Sequence, residues 1–564
     1  MALINGVVRF VYRNPALLGA VRKAHLDQVG QRIRLTGTET RPPRLWITPQ
    51  TKWTRLSERL AEALRAYPKE TREQLREYMA ALGYCTLSKA QDNSISLLNR
   101  LIVEADLVGE PEFLWLLATT VAARYPAPET FQKLARIARF GANQELAAEL
   151  LALMDSPEHS GRLDLGMTLV GSPIVEADST GKLAVHTGIH RVAREVVTRW
   201  LDKGICVAMW DQHRAVLLEP TMSEMQRITT GTASDSFVAN LLDKLNQRPS
   251  ILVPWRTTLV LLDQPKATAG LALSALAEYS GSDLTAIGYD LIPIASAELR
   301  PGPDTAAALA QLVPLKRAKR IAAISQSAAR EFAGFASMLA AQGLPGPEVV
   351  AVPLPSDTNP APDAVAQQPD ESAEVTIPKP WEGNKLRPII LVTGSREPHK
   401  NHRALLHAAE RLWAEDLDFE IRLAGGNGWR DDTAESIARL AAAGRPITDL
   451  GRVSSETLLT EMSQADAVAF VSLHEGFGLP VVEALSVGTP VLTTDYGSQA
   501  EIAADGGVLT VDPRDDEAII TALRRLITEP ELRARLATAA KQRPKTTWDN
   551  YAKQLWDVLI NEVN

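Results

Sequence analysis

Cysteine is nearly absent from the sequence, and so are long apolar runs. The 564 residues include two cysteines, Cys85 and Cys206, which lie far apart and have no CxxC neighbour. The two cysteines therefore indicate neither a disulfide framework nor a cysteine-based zinc site. No run approaches the roughly 18 apolar residues of a membrane helix, and the first residues lack the pattern of a secretory signal. These absences predict a cytoplasmic protein.

Length and composition indicate several globular domains. At about 100 to 200 residues per domain, the chain is long enough for roughly three or four. Hydrophobic residues make up 45% of the sequence and charged residues 23%. Those fractions are typical of soluble globular proteins and exclude a wholly disordered or collagen-like chain.

The net charge is unevenly distributed. Residues 1–50 hold eight Lys or Arg against two acidic residues, a charge of +6, which leaves -14 for the rest of a chain whose net charge is -8. An acidic body argues against a nucleic-acid partner, because phosphate neutralisation needs basic residues along the contact surface. The basic segment also contains apolar residues. It either packs against the region that follows or makes a peripheral contact with an anionic membrane surface.

Four further regions follow the basic segment. Leucines at helical spacing predict an all-α domain over 51–160. Strand-like runs then alternate with amphipathic stretches over 161–352. Residues 353–388 contain eight prolines in 36 residues, which indicates an extended linker. The alternation of strand-like and amphipathic stretches returns over 389–564. This alternation predicts an α/β chain with two Rossmann-like parallel-sheet domains facing a cleft and an N-terminal all-α extension. Whether the last helix crosses back to the first sheet is left open.

The most informative stretch is 471–489, VSLHEGFGLPVVEALSVGT. We expect a strand to end at Val471, a glycine loop with Gly476 and Gly478 to turn the chain, and a helix to begin near Pro480. The backbone N–H groups of Phe477, Gly478 and Leu479, with the helix dipole behind them, would stabilise an anion such as a diphosphate.

Two carboxylates bracket this glycine loop. Glu475 precedes the loop and Glu483 lies in the helix, with seven residues between them. A carboxylate beside an anion site needs hydrogen-bond donors, and the neutral hydroxyls of a sugar or ribose are suitable partners. Taken alone, the pair is equally well explained as a solvated loop residue and a helix N-terminal carboxylate.

The Glu, seven residues, Glu spacing on EGFGLP resembles the signature of the retaining glycosyltransferases of family 4, which have the two-domain GT-B fold. The likeness extends over most of 165–550 and is closest to bacterial mannosyltransferases of surface polysaccharide synthesis. Five other segments resemble the family's diphosphate loop, the strand and turn after it, the base-contacting loop, the N-terminal glycine loop and the cleft loop: 393–402, 423–428, 451–458, 186–196 and 287–294.

The resemblance implies a role for individual residues. Glu475 would accept hydroxyls of the transferred sugar, Glu483 would accept ribose hydroxyls, and Lys400 would neutralise the diphosphate; with Glu475 and Lys400, Asp290 completes the catalytic set. A fixed cation does the work that a metal ion does in other transferases, so no metal is expected. The other residues expected to bind the nucleotide sugar are Gly188, Arg396, Gly476, Phe477, Gly478, Leu479, Arg452 and Val453.

Some positions depart from the family pattern. Ser395 and His399 stand where relatives often have arginine, and Tyr289 replaces a histidine of the cleft. We interpret His399 and His402 as solvated loop residues rather than ligands. Asp290 would equally serve to cap a turn. The sequence Asp-Leu-Asp at 416–418 mimics a metal-binding motif but falls between a helix and a strand, and we interpret it as a loop.

Together these features predict a metal-independent, retaining hexosyltransferase. A GDP-sugar carrying mannose is the first choice of donor, with UDP- and dTDP-sugars as alternatives, and the acceptor is a glycan, a lipid-linked molecule or a protein. The protein would work in the cytoplasm, including at the inner face of the membrane. Two alternatives stay open: an inactive sugar-binding scaffold with this fold, and a transferase whose helical domain selects a polypeptide acceptor.

Overall fold

The computed structural model describes residues 48–81, 90–183, 187–230, 250–356, 387–428 and 433–561. Cys85, nearly all of the basic segment and most of the proline-rich segment lie outside the described residues. No described helix combines the length and apolar character needed to cross a membrane.

The N-terminal region is helical, as predicted. Leu56, Leu60 and Leu64 are buried along one face of the first helix and the turn that extends it, which confirms the spacing argument. The fourth helix is apolar on every side, and its neighbours surround it. The helices are α1 (Pro49–Ala63), α2 (Lys69–Ala81), α3 (Ala90–Glu104), α4 (Pro111–Ala122), α5 (Pro128–Phe140) and α6 (Asn143–Asp155).

Nine strands form the first sheet, in the order β1-β5-β4-β3-β2-β6-β7-β8-β9. Their bounds are β1 (Met167–Val170), β2 (Ile174–Glu176), β3 (Cys206–Asp211), β4 (Val216–Leu218), β5 (Ile251–Pro254), β6 (Thr258–Leu261), β7 (Asp283–Gly288), β8 (Arg320–Ala323) and β9 (Glu348–Ala351). The strands from β3 to β9 in this order are parallel, with Ile174 of β2 opposite Leu259 of β6.

The expectation of a purely parallel first sheet is wrong at one strand. β4 runs antiparallel to both β3 and β5. Residues 212–215 join β3 to β4 directly, and a connection that short makes a hairpin, because a parallel neighbour needs a crossover of a dozen or more residues. Ala215 takes a positive φ of 48° as the chain turns.

Helices connect the parallel strands of this first sheet domain. They are α7 (Asp178–Lys182), α8 (Gly188–Trp200), α9 (Met222–Thr230), α10 (Gly270–Tyr279), α11 (Ile292–Ala295), α12 (Gly302–Leu315) and α13 (Gln326–Leu339). α8 follows β2, and α13 follows β8, so the N-termini of both helices lie at the carboxyl edge of the sheet.

The second sheet has six strands, all parallel, in the order β12-β11-β10-β13-β14-β15. The strands are β10 (Ile389–Thr393), β11 (Glu420–Ala424), β12 (Ile447–Gly451), β13 (Ala467–Phe470), β14 (Val491–Thr494) and β15 (Val508–Val511). This is the doubly wound order, which reverses between β10 and β13. Ligands bind at the carboxyl edge of such a reversal, so this point locates the candidate site.

Three helices of the second sheet domain share one buried apolar cluster with the strands of this sheet. Leu405 and Leu412 belong to the same buried cluster as Ile519 and Leu523. The helices of the domain are α14 (His402–Ala414), α15 (Ala434–Ala442), α16 (Ser455–Gln464), α17 (Leu479–Ser486), α18 (Gly497–Ala503), α19 (Asp516–Thr528) and α20 (Pro530–Lys541).

The last helix, α21 (Trp548–Leu559), packs on the first sheet domain. The indole Nε1 of Trp200 donates to the carbonyl of Ala552 at 2.9 Å, and its ring meets the Trp556 ring edge-on at 5.2 Å. The guanidinium of Arg320 donates to the carbonyl of Val558. The chain therefore links the two sheet domains a second time through α21.

One buried arginine joins the helical domain to the first sheet domain. Arg59 of α1 is fully buried, and its guanidinium donates to the carbonyls of Thr120, Leu163 and Leu165 at 2.7, 3.3 and 2.9 Å. Burial lowers the pKa of Arg59 to about 10, so the side chain remains a cation at neutral pH. The contact therefore fixes the segment that leads into β1.

Arg59→Met should lower the free energy of unfolding by about 2 to 4 kcal/mol, because three buried carbonyls lose their donor. Hydrogen exchange measured segment by segment should show lost protection in α1 and α4. The control is Arg55→Met on the same helix, where the arginine pairs with Glu58 at the surface; it should change stability by less than about 0.5 kcal/mol. Equal protection in the two variants would contradict the assigned role.

Candidate active site

The site begins with the loop that follows β10. Gly394 turns the chain with a φ of +109°, a conformation that glycine adopts without strain. A single 3-10 turn over Pro398–Lys400 then presents Lys400 at the carboxyl edge of the sheet. The ammonium group lies 5.3 Å from the centroid of the Phe470 ring at the end of β13, and its Nζ is 2.6 Å from Oε1 of Glu475. The two predicted residues therefore form an ion pair.

The glycine loop after β13 lies against the first sheet domain. Gly476 approaches it so closely that a Cβ atom there would come within 2.5 Å of the Tyr289 carbonyl oxygen. The hydroxyl of Ser325, two residues after the end of β8, donates to the Gly476 carbonyl at 2.7 Å. Glycine is thus required at this position because any side chain would collide with backbone.

The N-terminus of α17 provides the predicted anion-stabilising group. Gly478 precedes the helix with a φ of +110°, and Pro480 is its second residue. Across the described parts of the chain, the backbone N–H groups of Phe477, Gly478 and Leu479 have no protein acceptor. These N–H groups and the helix dipole together favour a bound anion.

Glu483, on the second turn of α17, pairs across the cleft. Its Oε1 is 3.0 Å from Nη1 of Arg191 on α8, and the two side chains are 16% and 17% exposed. Burial raises the pKa of Glu483, and the nearby guanidinium opposes that rise. Sequence reasoning missed Arg191. Arg191 lies three residues after Gly188, on the same face of α8. Its position in the 186–196 segment, beside a glycine predicted to approach the nucleotide sugar, is the sequence feature that would have pointed to it.

Gly188, predicted to approach the nucleotide sugar, begins α8 at the cleft. A Cβ atom at this position would come within 2.9 Å of Cδ1 of Leu479. The N-terminal ends of α8 and α17 therefore face each other, one from each sheet domain. Two helix N-termini at one point concentrate positive partial charge there.

Asp290 lies at the same place on the first sheet domain. It follows β7, and its Oδ1 accepts the N–H of Ile292 at 3.1 Å, which confirms the turn-capping interpretation. A Cβ on Gly476 would come 3.3 Å from its Oδ2. Burial raises the pKa of Asp290 to about 6, and the carboxylates of Glu331 and Glu475 add to the rise.

A histidine that sequence reasoning missed connects the two domains beside Asp290. His474 precedes Glu475; its Nε2 is 2.6 Å from Oε1 of Glu331, and its Nδ1 is 2.9 Å from the hydroxyl of Ser296. Glu331 raises the pKa of His474 against the opposing effect of burial. Glu331 therefore favours the charged form of the imidazole, beside the carboxyl groups of Asp290 and Glu475.

The other predicted binding residues lie on the β11 and β12 side of the second sheet domain. Arg396 is buried and pairs with Asp449, and its Nη1 is 3.4 Å from Oδ1 of Asn427. Its guanidinium is therefore directed at its own domain. Arg452 is exposed, with its Nε over Gly426, and Val453 follows it on the loop that leads to α16.

Two side chains differ from the sequence interpretation. His399 and His402 are buried, 4% and 5% exposed, so describing them as solvated was wrong. Burial and Lys400 lower the pKa of His399 to about 3, which keeps it neutral, and His402 contacts the Thr393 carbonyl. Tyr289 is also buried and donates to the Leu262 carbonyl at 2.7 Å. Its hydroxyl is used within the first sheet domain.

The Asp-Leu-Asp motif at 416–418 lies where β11 begins, at the amino edge of the second sheet and opposite the glycine loop. Asp418 pairs there with Arg387 at 3.4 Å. Across the described ranges, no group of three or more His, Cys, Asp or Glu side chains is arranged to hold a metal ion. Asp418 therefore belongs to a structural ion pair.

Asp290→Asn should raise the free energy of unfolding at pH 7 by on the order of 1 to 3 kcal/mol, and with it the melting temperature. The amide keeps an acceptor for Ile292 and removes a charge that Glu331 and Glu475 repel. Because the folded pKa is raised to about 6, the wild-type carboxyl becomes neutral as the pH falls from 6 towards 4, and the difference should disappear there.

The control for this variant is Asp512→Asn. Arg514 lowers the pKa of Asp512, so removing that charge should leave the melting temperature unchanged or slightly lower at pH 7. Melting temperatures between pH 4 and 8 check both variants. An Asp290→Asn protein that is less stable than wild type at pH 7 would show that the carboxylate is structural.

Comparison with known proteins places the second sheet domain in a family. Residues 375–543 match the glycosyl transferases described as group 1. O-antigen chain mannosyltransferase B of Escherichia coli is 33% identical over 177 residues, which cover 31% of this chain and 45% of that protein. MMP alpha-(1->4)-mannosyltransferase of Mycolicibacterium hassiacum is 31% identical over 180 residues, or 31% of this chain and 43% of that protein.

The chain thus spans less than half the length of the curated relatives it matches. The solved structure of sucrose-phosphate synthase from Thermosynechococcus elongatus aligns with 68% of this chain and 97% of its own, at 16% identity and a TM-score of 0.47. The fold assignment rests on the strand pairing described above, and the family assignment rests on the second sheet domain with its EGFGLPVVEA block. Residues 375–543, which contain this block, match the glycosyl transferase group 1 family and are distantly similar to a bacterial mannosyltransferase of O-antigen synthesis.

Proposed function

We propose that this protein is a retaining glycosyltransferase that moves a hexose from a nucleoside diphosphate sugar to an acceptor. Donor binding is assigned to 389–564 and acceptor binding to 161–352. The observation that carries the proposal is the Lys400–Glu475 ion pair beside the N-terminus of α17. A diphosphate sugar needs groups that stabilise its phosphates and groups that bind its hydroxyls. Lys400 and the N-terminus of α17 suit the phosphates, and the carboxylate of Glu475 suits the hydroxyls.

The proposed chemistry needs charge stabilisation at the leaving group. The bond between the anomeric carbon and the diphosphate oxygen breaks, and negative charge develops on the diphosphate, where Lys400 and the α17 N–H groups stabilise it. The acceptor oxygen bonds to the anomeric carbon on the same face, and its proton passes to the diphosphate. Glu475 holds hydroxyls of the transferred sugar, Glu483 holds the ribose, and Asp290 is assigned to the acceptor side.

Mannose and a GDP donor are the finer part of the proposal. Two of the relatives are mannosyltransferases, which supports mannose. A third relative, D-inositol 3-phosphate glycosyltransferase of Corynebacterium urealyticum, is 33% identical over 175 residues and does not specify that sugar. A glycan, lipid-linked or protein acceptor, and peripheral membrane contact through residues 1–50, belong to the same proposal.

A donor screen tests the activity directly. Purified protein is incubated with GDP-mannose, GDP-glucose, UDP-glucose and dTDP-glucose, and hydrolysis and thermal shift are measured. One donor should raise the melting temperature by mass action and release its nucleoside diphosphate slowly. Binding without turnover, in the presence of candidate acceptors, would favour the inactive scaffold. No binding to any nucleotide sugar would contradict the proposal.

The two glutamates should separate kinetically. Glu483→Gln should mainly raise the donor KM, whereas Glu475→Gln should lower kcat by about tenfold to a thousandfold, if one hydrogen bond that strengthens in the transition state is lost. Glu461→Gln is the control, because Glu461 has a similar exposure and pairs with Arg422 in the same domain. Wild-type kinetics in both site variants would rule out these roles.

Lys400 should make a metal unnecessary. Transfer should persist in excess chelator, and Lys400→Met should lose most of the activity because the diphosphate charge is left uncompensated. Steady-state rates with EDTA, and with EDTA plus Mg²⁺ or Mn²⁺, check this. Activity that is lost in chelator and restored by either metal would refute the assignment.

A further inference from the structure

Arg191 is a charged residue of the first sheet domain that pairs with Glu483, a residue assigned to the donor. It lies in the first turn of α8, four positions into a helix whose first residue, Gly188, touches the start of α17. Its Nη1 is 3.0 Å from Oε1 of Glu483. The guanidinium carbon also lies 5.7 Å from the centroid of the Trp548 ring, at the start of α21.

Its position is electrostatically unfavourable without an anion nearby. The N-terminal end of a helix carries positive partial charge, and a cation in the first turn is repelled by it. The first turn of α8 contains no acidic residue, and the positive end of α17 faces the same point. Glu483 supplies a compensating negative charge, and a donor that occupied Glu483 with ribose hydroxyls would withdraw it from Arg191.

Lys400 shows the same arrangement in the second sheet domain. Each glutamate assigned to donor hydroxyls holds a cation: Glu475 pairs with Lys400, and Glu483 pairs with Arg191. Lys400 is assigned to the diphosphate once the sugar hydroxyls take Glu475. By the same geometry, Arg191 would exchange Glu483 for the diphosphate, from the opposite side of the cleft.

We propose that Arg191 of the first sheet domain is a donor-binding residue. When a nucleoside diphosphate sugar binds, the Arg191 guanidinium gives up its pair with Glu483 and binds the diphosphate instead. This inference rests on the proposed function. The guanidinium offers two parallel donors that match phosphate oxygens, which a lysine cannot present. Because Glu483 and Arg191 belong to different sheet domains, the exchange makes closure of the cleft depend on the diphosphate and not on the nucleoside alone.

The test compares a nucleoside with its diphosphate. Calorimetry with guanosine and GDP, and in parallel with uridine and UDP, is carried out on wild type and on Arg191→Met. The variant should bind the diphosphate about tenfold to a hundredfold more weakly, the loss expected for hydrogen bonds between charged groups. It should bind the nucleoside as well as wild type or more tightly, because Glu483 is no longer paired.

The control and the conservative variant separate binding from a structural role. Arg199→Met alters the same helix, where Arg199 pairs with Glu195 and, at 2.6 Å, with Asp549 of α21; it should retain both affinities. Arg191→Lys should recover part of the diphosphate affinity, and it also decides the question if Arg191→Met does not fold.

If the wild type turns over its donor, two results for Arg191→Met would overturn the inference and leave the proposed function intact. One is an equal loss of affinity for the nucleoside and the diphosphate, and the other is no loss of affinity for either. The first would make the Arg191–Glu483 pair a structural link between the domains. A wild type that binds neither diphosphate and hydrolyses no nucleotide sugar would overturn both proposals together.

Discussion

Charge balance in a narrow cleft is the constraint on which the site depends. Glu475 and Glu483 lie on either side of the N-terminal end of α17, both largely shielded from water, and an unpaired carboxylate in such a place is costly. Lys400 and Arg191 supply the balance, the first from the same sheet domain and the second from the opposite one. One pair can form inside a single domain, whereas the other forms only when the two sheets face each other.

The close approach of the two sheet domains depends on two positions without side chains. Gly476 lies against the Tyr289 carbonyl, where a Cβ would collide with backbone, and Gly188 lies against the side chain of Leu479, which would have to shift to admit a Cβ. The hydroxyl of Ser325 and the imidazole of His474 then bridge the same boundary by hydrogen bonds. These close contacts and hydrogen bonds hold the two domains together beside the charged residues of the site.

Much of the fold was predictable because its signals are local. Alternating strand and helix patterns gave the two α/β domains, the leucine spacing around Leu56 and Leu60 gave the helical region, and the EGFGLP block gave the glycine loop and the helix after it. The sequence assigned Lys400 and Glu475 to one site, and the structure shows that they form an ion pair after β10 and β13. These strands are adjacent in the doubly wound order, so the residues that follow them meet at one edge.

What the sequence by itself determined is therefore the alternation of strands and helices and the residue types around the glycine loop after β13. The tertiary structure decided which groups face one another across the cleft: Arg191 on Glu483, His474 between Glu331 and Ser296, and Asp290 beside Gly476. It also buried His399 and His402. Residues that are 292 positions apart in the chain, as Arg191 and Glu483 are, carry no mark of their partner, because pairing across a cleft depends on how two rigid sheets pack and not on any local pattern.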